Sequence, residues 1–247
     1  MHPRRIIALT AAAVAALIGL AGCGNPRTVH DQKSFSFHES RLVIDTESDL
    51  RVVPGNGPRI DVQRWLSGTP AEPGHSSWTL AGATLHLFVD CTGLVFHCGS
   101  RFQVAVPPRV SVEVRSGDNN DTVSGLTGPV VIYGGAGQVQ LSDTSGPLRI
   151  STNAGSITGT AIRSAVVRAT ASAGNVSFTF AAAPQRVDIS SSNGDATARV
   201  PVAGHRYHVA MTSGTGTASS RVPDDPHSGN TLHVSSGNGT ATVLATP

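Results

Sequence analysis

Between Val110 and the C-terminus one short pattern recurs seven times: two apolar residues separated by one other, a small polar run, then glycine. The glycines are Gly117, Gly137, Gly155, Gly174, Gly194, Gly216 and Gly239. Seven residues before each stands Val110, Val130, Leu148, Val167, Val187, Val209 or Leu232, and five before each stands Val112, Ile132, Ile150, Ala169, Ile189, Met211 or Val234. A unit of about twenty residues cannot bury its own apolar face, so such units must stack on one another. At about 4.8 Å between parallel strands, seven units make a rod of roughly 34 Å. The expected fold is therefore all-β, a single-domain β-solenoid with about seven glycine-punctuated coils after an all-β N-terminal section. A meander of hairpins closing into a sandwich is the competing architecture, but it has no need of apolar columns that keep one phase.

Within a unit such as Leu148–Ile157, alternation points Leu148 and Ile150 to one face, and the run to Gly155 turns the chain. Earlier in the chain, Leu42 and Ile44, Leu50 and Val52, Ile60 and Val62, Leu85 to Val89, and Phe102 to Val106 alternate in the same strand-like way. Pro54-Gly55-Asn56-Gly57-Pro58 is strong turn chemistry, and Trp65 to Trp78, with Gly68, Pro70, Pro73 and Gly74, reads as a loop. No segment after the N-terminal apolar run reads as an amphipathic helix. Only 4% of the residues are aromatic, so valine, isoleucine, leucine and alanine must fill the interior.

The N-terminus reads as an address. Arg4 and Arg5 precede an apolar run from Ile6 to Leu20, which is too short to favour a membrane span and fits a secretory signal. The closing Leu20-Ala21-Gly22-Cys23 resembles the lipobox of bacterial lipoproteins. That resemblance implies a signal peptide over 1–22 and lipid modification, palmitate included, at Cys23. Residues 23–39 are then a lipidated tether, and 40–247 are the domain, with irregular coils over 40–108 and regular repeats over 109–247. The expected location is the extracytoplasmic face of the bacterial cell membrane, with the membrane as partner through the lipid. The chain carries 18 Lys+Arg against 16 Asp+Glu, and removing Arg4 and Arg5 with the signal leaves it formally neutral. Without a Lys/Arg cluster there is no electrostatic footprint for nucleic acid.

The stretches Leu42–Val53, Phe102–Pro107 and repeats such as Val130–Leu141 resemble the putative-adhesin, β-strand-repeat domains of bacterial envelope proteins known as DUF4097. The likeness covers about residues 40–247. It implies a β-helix-like fold at the cell surface, and brings no ligand or catalytic residue with it.

Few residues invite chemistry. With Cys23 lipidated, Cys91 and Cys98 form an even pair in an oxidising compartment, and the short intervening loop can bring them together as a disulfide. Asp118-Asn119-Asn120-Asp121 gathers oxygen ligands in a turn and is the candidate binding turn, for a hard cation if any. Gly134-Gly135-Ala136-Gly137 lacks a following helix and reads as a corner, not a phosphate loop. His205 and His208 would face opposite sides of a strand. No Gly-x-Ser-x-Gly elbow occurs. Asp118, Asp121, Asp143, Asp188 and Asp195 would have to converge to cleave a glycan, but Asp118 and Asp195, each one residue after its glycine, lie several coils apart, and Asp143 and Asp188 fall at other phases. Trp65 and Trp78 are read as caps over the apolar end of the stack, in preference to sugar platforms. The expectation is a non-enzymatic surface protein without cofactor or metal. It acts in adhesion, scaffolding or recognition of a cell-wall polymer or envelope protein through its polar coil faces and the irregular turns at Asp118–Asp121 and Asp224–Gly229. A glycan-active β-helix enzyme and an accessory protein of envelope-stress sensing are the alternatives.

Overall fold

The computed structural model describes residues 27–91 and 98–246. The signal assigned to 1–22 and the lipidation site Cys23 lie outside them.

The described residues are all-β apart from one 3₁₀ turn, Thr69–Ala71. The first strands are β1 (Thr28–Ser36), β2 (Arg41–Thr46), β3 (Asp49–Pro54), β4 (Arg59–Gly68), β5 (Ser76–Ala81), β6 (Thr84–Val89) and β7 (Cys98–Val106). Five two-strand units follow: β8 (Ser111–Ser116) with β9 (Asp121–Ser124), β10 (Val130–Gly134) with β11 (Val139–Ser142), β12 (Leu148–Thr152) with β13 (Ile157–Ile162), β14 (Val166–Ala173) with β15 (Val176–Phe180), and β16 (Arg186–Asn193) with β17 (Ala196–Pro201). The last strands are β18 (His208–Ser213), β19 (Ala218–Ser220), β20 (Thr231–Asn238) and β21 (Ala241–Thr246).

In each unit the first strand joins one sheet and the second strand joins the other. Sheet I has 11 strands in the order β1-β4-β7-β3-β9-β11-β13-β15-β17-β21-β19. Sheet II has 10, in the order β18-β20-β16-β14-β12-β10-β8-β2-β6-β5. Neither sheet closes. Pairing is parallel except where β1, β4 and β5 lie antiparallel at the N-terminal edges.

Strand alternation sends every second side chain between the sheets, and in-register pairing stacks these side chains into columns. In sheet II one column runs Leu42, Val112, Val130, Leu148, Val167, Val187, Leu232, Val209. In sheet I another runs Val52, Val123, Leu141, Gly159, Phe178, Ala198, Val243. Size alternates where it must: a methyl group on Gly159 would fall within 3 Å of the Phe178 ring, so Gly159 and Ala198 flank Phe178 with little bulk of their own. Both sheets share one apolar core.

The corner glycines have a common cause. Gly137, Gly155, Gly174, Gly194, Gly239 and Gly216 stack in that order, and a Cβ on any of them would come within 3 Å of the backbone carbonyl one unit below. Gly174, Gly194 and Gly239 also adopt φ of 118°, 149° and 150°, where side chains are strained. Side chains just after four of the corner positions complete the corner above. Asn120 Oδ1 accepts the Gln138 amide, Ser156 Oγ accepts the Asn175 amide, Asn175 Oδ1 accepts the Asp195 amide, and Asp195 Oδ1 accepts the Thr240 amide. On the inner side, the Thr152, Ser191, Ser236 and Ser213 hydroxyls donate to the carbonyls of Gly155, Gly174, Gly194 and Gly239. Otherwise unpaired backbone groups at a tight corner are thereby satisfied.

Three features depart from the sequence reading. The first repeat is out of phase: Val112, not Val110, pairs with Val130, and the Gly135 amide donates to the Gly117 carbonyl. The spatial order at the ends is not the chain order. The excursion over residues 202–230 carries β18 and β19 to the outer edge, and β20–β21 returns to insert between them and β16–β17. Likewise β2–β3 lies between β6–β7 and β8–β9. Finally, Thr28–Ser36, assigned to the tether, forms β1 against β4, and Trp65 and Trp78 stand in strands, with only 69–75 between β4 and β5.

Candidate functional site

The candidate turn Asp118–Asp121 does not converge on a point. Asp118 Oδ1 accepts the Ala136 amide at 2.8 Å, and Asn120 Oδ1 accepts that of Gln138 at 3.1 Å while its own amide donates to Asp49. Asp121 points the opposite way, into the core. It pairs with Leu50 on one side and Val139 on the other, in a column that continues through Ile157, Val176 and Ala196. Its side chain is buried, accepts a hydrogen bond from Ser116 Oγ through Oδ2, and leaves Oδ1 without a partner among the described residues. Burial pushes this carboxyl up to about 6, the Ser116 hydrogen bond pulls it down, and the charge of Asp49 adds to the rise. The tetrad is thus corner structure plus one buried acid. No group of three metal-ligating side chains forms among the described residues.

The other carboxylates are held apart. Asp143 pairs with Arg163 at 2.7 Å, Asp188 contacts Arg168 at 3.2 Å and His233 at 3.5 Å, and Asp195 is a corner acceptor. The turn at Asp224–Gly229 pins the edge strand β18: Asp224 accepts the Val209 amide at 2.8 Å and faces His208 Nδ1 at 3.1 Å. Those two hydrogen bonds hold Asp224 below the usual carboxylate range. His205 sits in the preceding turn, apart from His208. Gly134–Gly137 forms a corner between β10 and β11. Cys91 and Cys98 are joined as a disulfide with Cα atoms 5.9 Å apart.

The tryptophans divide. Trp78 of β5 packs against the core, with the Arg64 guanidinium over its ring at 4.1 Å, and Arg64 is tied to Asp31 at 2.7 Å. It closes the N-terminal end of the stack. Trp65 lies on the outer side of sheet I, stacked on His30 at 4.8 Å with Arg101 at 5.2 Å.

What remains is two outer faces of different chemistry. Sheet I presents a row that is uncharged over Thr122, Gln140, Thr158, Ser177, Thr197, Thr242 and Ser219 and continues onto Arg51 at its N-terminal end. Sheet II presents Arg41, Arg115, Tyr133, Arg149, Arg168 and Arg186, with Glu113 tucked between Arg41 and Arg115, Asp45 opposite Arg115 and Asp188 beside Arg168. Burial alone would push Glu113 up, but hydrogen bonds from both arginines outweigh it and leave the carboxyl below its ordinary range. No run of basic residues marks this face along the chain, because its arginines are spread over distant units and meet only through the register.

No protein-family model matches the chain, and no curated protein does. Among solved structures it is similar to a putative cell adhesion protein from Clostridium sporogenes, at 11% identity over 89% of this chain and 100% of that one, with a TM-score of 0.42. It is also similar to a putative adhesin from Bacteroides fragilis, at 10% identity over 88% and 97%, with a TM-score of 0.38. A third, a putative adhesin from Parabacteroides distasonis, gives 10%, 90%, 98% and 0.34 for the same quantities.

Proposed function

We propose that the chain is a lipid-anchored, extracytoplasmic β-solenoid that works by surface interaction, in adhesion or envelope scaffolding, and without catalysis. One observation carries the reading. The carboxylates that glycan chemistry would need are each engaged in a different structural role. Asp118 and Asp195 accept backbone amides, Asp143 and Asp188 are held in ion pairs, and Asp121 is buried. Cleavage requires two such groups facing one bond. The two long sheets, by contrast, hold flat outer rows at strand spacing, a geometry suited to an extended partner.

The test incubates the mature chain with isolated cell-envelope material and follows retention and release of soluble fragments together. Retention without fragments is expected. Fragment release that stops on changing Asp118→Asn or Asp188→Asn would replace this reading with a glycan-active enzyme.

A further inference from the structure

We propose that the outer face of sheet II is the binding face, and that its partner is an anionic polysaccharide lying across the strands. This rests on the surface-interaction reading and gives it a face and a ligand class.

The outward positions of β10, β12 and β14 are Val131, Tyr133, Arg149, Ser151, Val166, Arg168, Thr170 and Ser172, with no carboxylate among them. Register sets them in two rows. Asp45, Arg115, Tyr133 and Ser151 are neighbours in one; Glu113, Val131, Arg149 and Arg168 are neighbours in the next, which continues through Asp188 to His233. Like charges directly opposite on a sheet repel, so Arg149 beside Arg168 costs stability unless an anion lies over them. Arg168 has Asp188 to offset its charge. Arg149 forms no ion pair among the described residues. Arg115 shares Glu113 with Arg41, and Asp45, opposite Arg115, lies 3.4 Å from His86 Nδ1. A guanidinium fork is the side chain best shaped for carboxylate or phosphate.

The apolar component fits a sugar. Phe88, Tyr133 and Val166 are the large apolar side chains exposed among the described residues, and all three stand on the outer side of sheet II. Tyr133 is 46% exposed and borders a shallow depression whose floor is bare at Gly134 and Gly135 and whose rim is Arg115, Ser151 and Asn153. An aromatic ring with Arg115 on one side, Ser151 on the other and Arg149 diagonally across offers a pyranose both a stacking surface and polar partners. The three apolar groups sit on separate strands, β6, β10 and β14, so they do not make the contiguous patch that insertion into lipid needs. Sheet I, whose uncharged row over β9 to β21 carries no exposed large apolar group and whose charges stand at Arg51 and Arg101 toward the N-terminal edge and at Arg199, serves as the internal control at Thr158.

Binding of the mature chain is measured by calorimetry against polygalacturonate, a soluble poly(glycerol phosphate), neutral dextran and vesicles of anionic phospholipid. Saturable binding to at least one anionic polymer and none to dextran is expected, weakening about tenfold as salt rises through the physiological range. Arg149→Gln and Tyr133→Ser should each weaken it by about tenfold, while Thr158→Ala on sheet I leaves it unchanged. Binding to vesicles alone, equal binding to dextran, no binding at all, or insensitivity to Arg149→Gln in a variant with wild-type melting behaviour would each overturn the proposal. Loss through Thr158→Ala alone would sink the face assignment and leave the surface-interaction reading standing. Turnover of a bound polymer would do the reverse.

Discussion

Asp121 is a carboxyl where its column otherwise holds Leu50, Val139, Ile157, Val176 and Ala196, and its titration should be visible in the stability of the whole domain. Burial raises its pKa from 3.8 to about 6. The folded state therefore holds this proton more tightly than the unfolded state. Stability from the protonated form is present below the unfolded value and is lost as pH rises through about 6. At about 1.36 kcal/mol per unit, the loss is about 3 kcal/mol. Asp121→Asn keeps the shape and an oxygen for Ser116 but cannot ionise. Urea unfolding of wild type and variant at acidic and alkaline pH isolates the effect, because the other titrating groups are common to both chains. The stability difference should move by about 3 kcal/mol in favour of the variant on going from below pH 4 to above pH 7. A difference that stays constant with pH would show that Asp121 is not held in the apolar column, and the register of β9 would have to be redrawn.

Three further outcomes are expected. Gly155→Ala drives a methyl group into the Gly137 carbonyl and should lower the urea-unfolding free energy by about 2–4 kcal/mol, whereas the same change at Gly57, with open space around it, should cost under about 1 kcal/mol. Glu113→Gln should cost about 1–2 kcal/mol at neutral pH, because the lowered pKa stabilises the fold above the unfolded value. That difference should vanish as pH falls through the folded pKa; one that persists in acid would point to packing instead of charge. Thiol labelling of the non-reduced mature chain should find neither Cys91 nor Cys98 reactive, and replacing both with serine should cost about 2.5 kcal/mol; quantitative labelling would contradict the pairing.

Most of the interior was legible in the sequence. Val130, Leu148, Val167 and Val187 lie in one column as their spacing requires, because close packing at each corner leaves glycine little alternative and so prints the period into the chain. The first repeat misled because Gly117 mimics a corner glycine while Asp121 breaks the apolar pattern that would have exposed the two-residue shift. The polar edge strand β1 was hidden because it pairs on one side only and shows little apolar alternation. The oxygen-rich turn at Asp118–Asp121 looked like a ligand set, yet strand alternation and corner hydrogen bonding send its side chains in different directions. The arginines of sheet II come from units some twenty residues apart, and only the stacking order makes neighbours of them.

That stacking order underlies both outer faces, and the place where it departs from chain order gives the sharpest test. Thr197 pairs with Thr242, and Thr242 in turn with Ser219. Neighbouring strands are about 4.8 Å apart, so a Thr197→Cys/Thr242→Cys pair lies within disulfide reach, whereas Thr197→Cys/Ser219→Cys is about twice as far and lies outside it. Mild oxidation of the two double variants, read by non-reducing electrophoresis and peptide mass mapping, should cross-link the first pair and leave the second free. Cross-linking of the second pair and not the first would mean that the units stack in chain order, and the insertion of β20–β21 would be wrong.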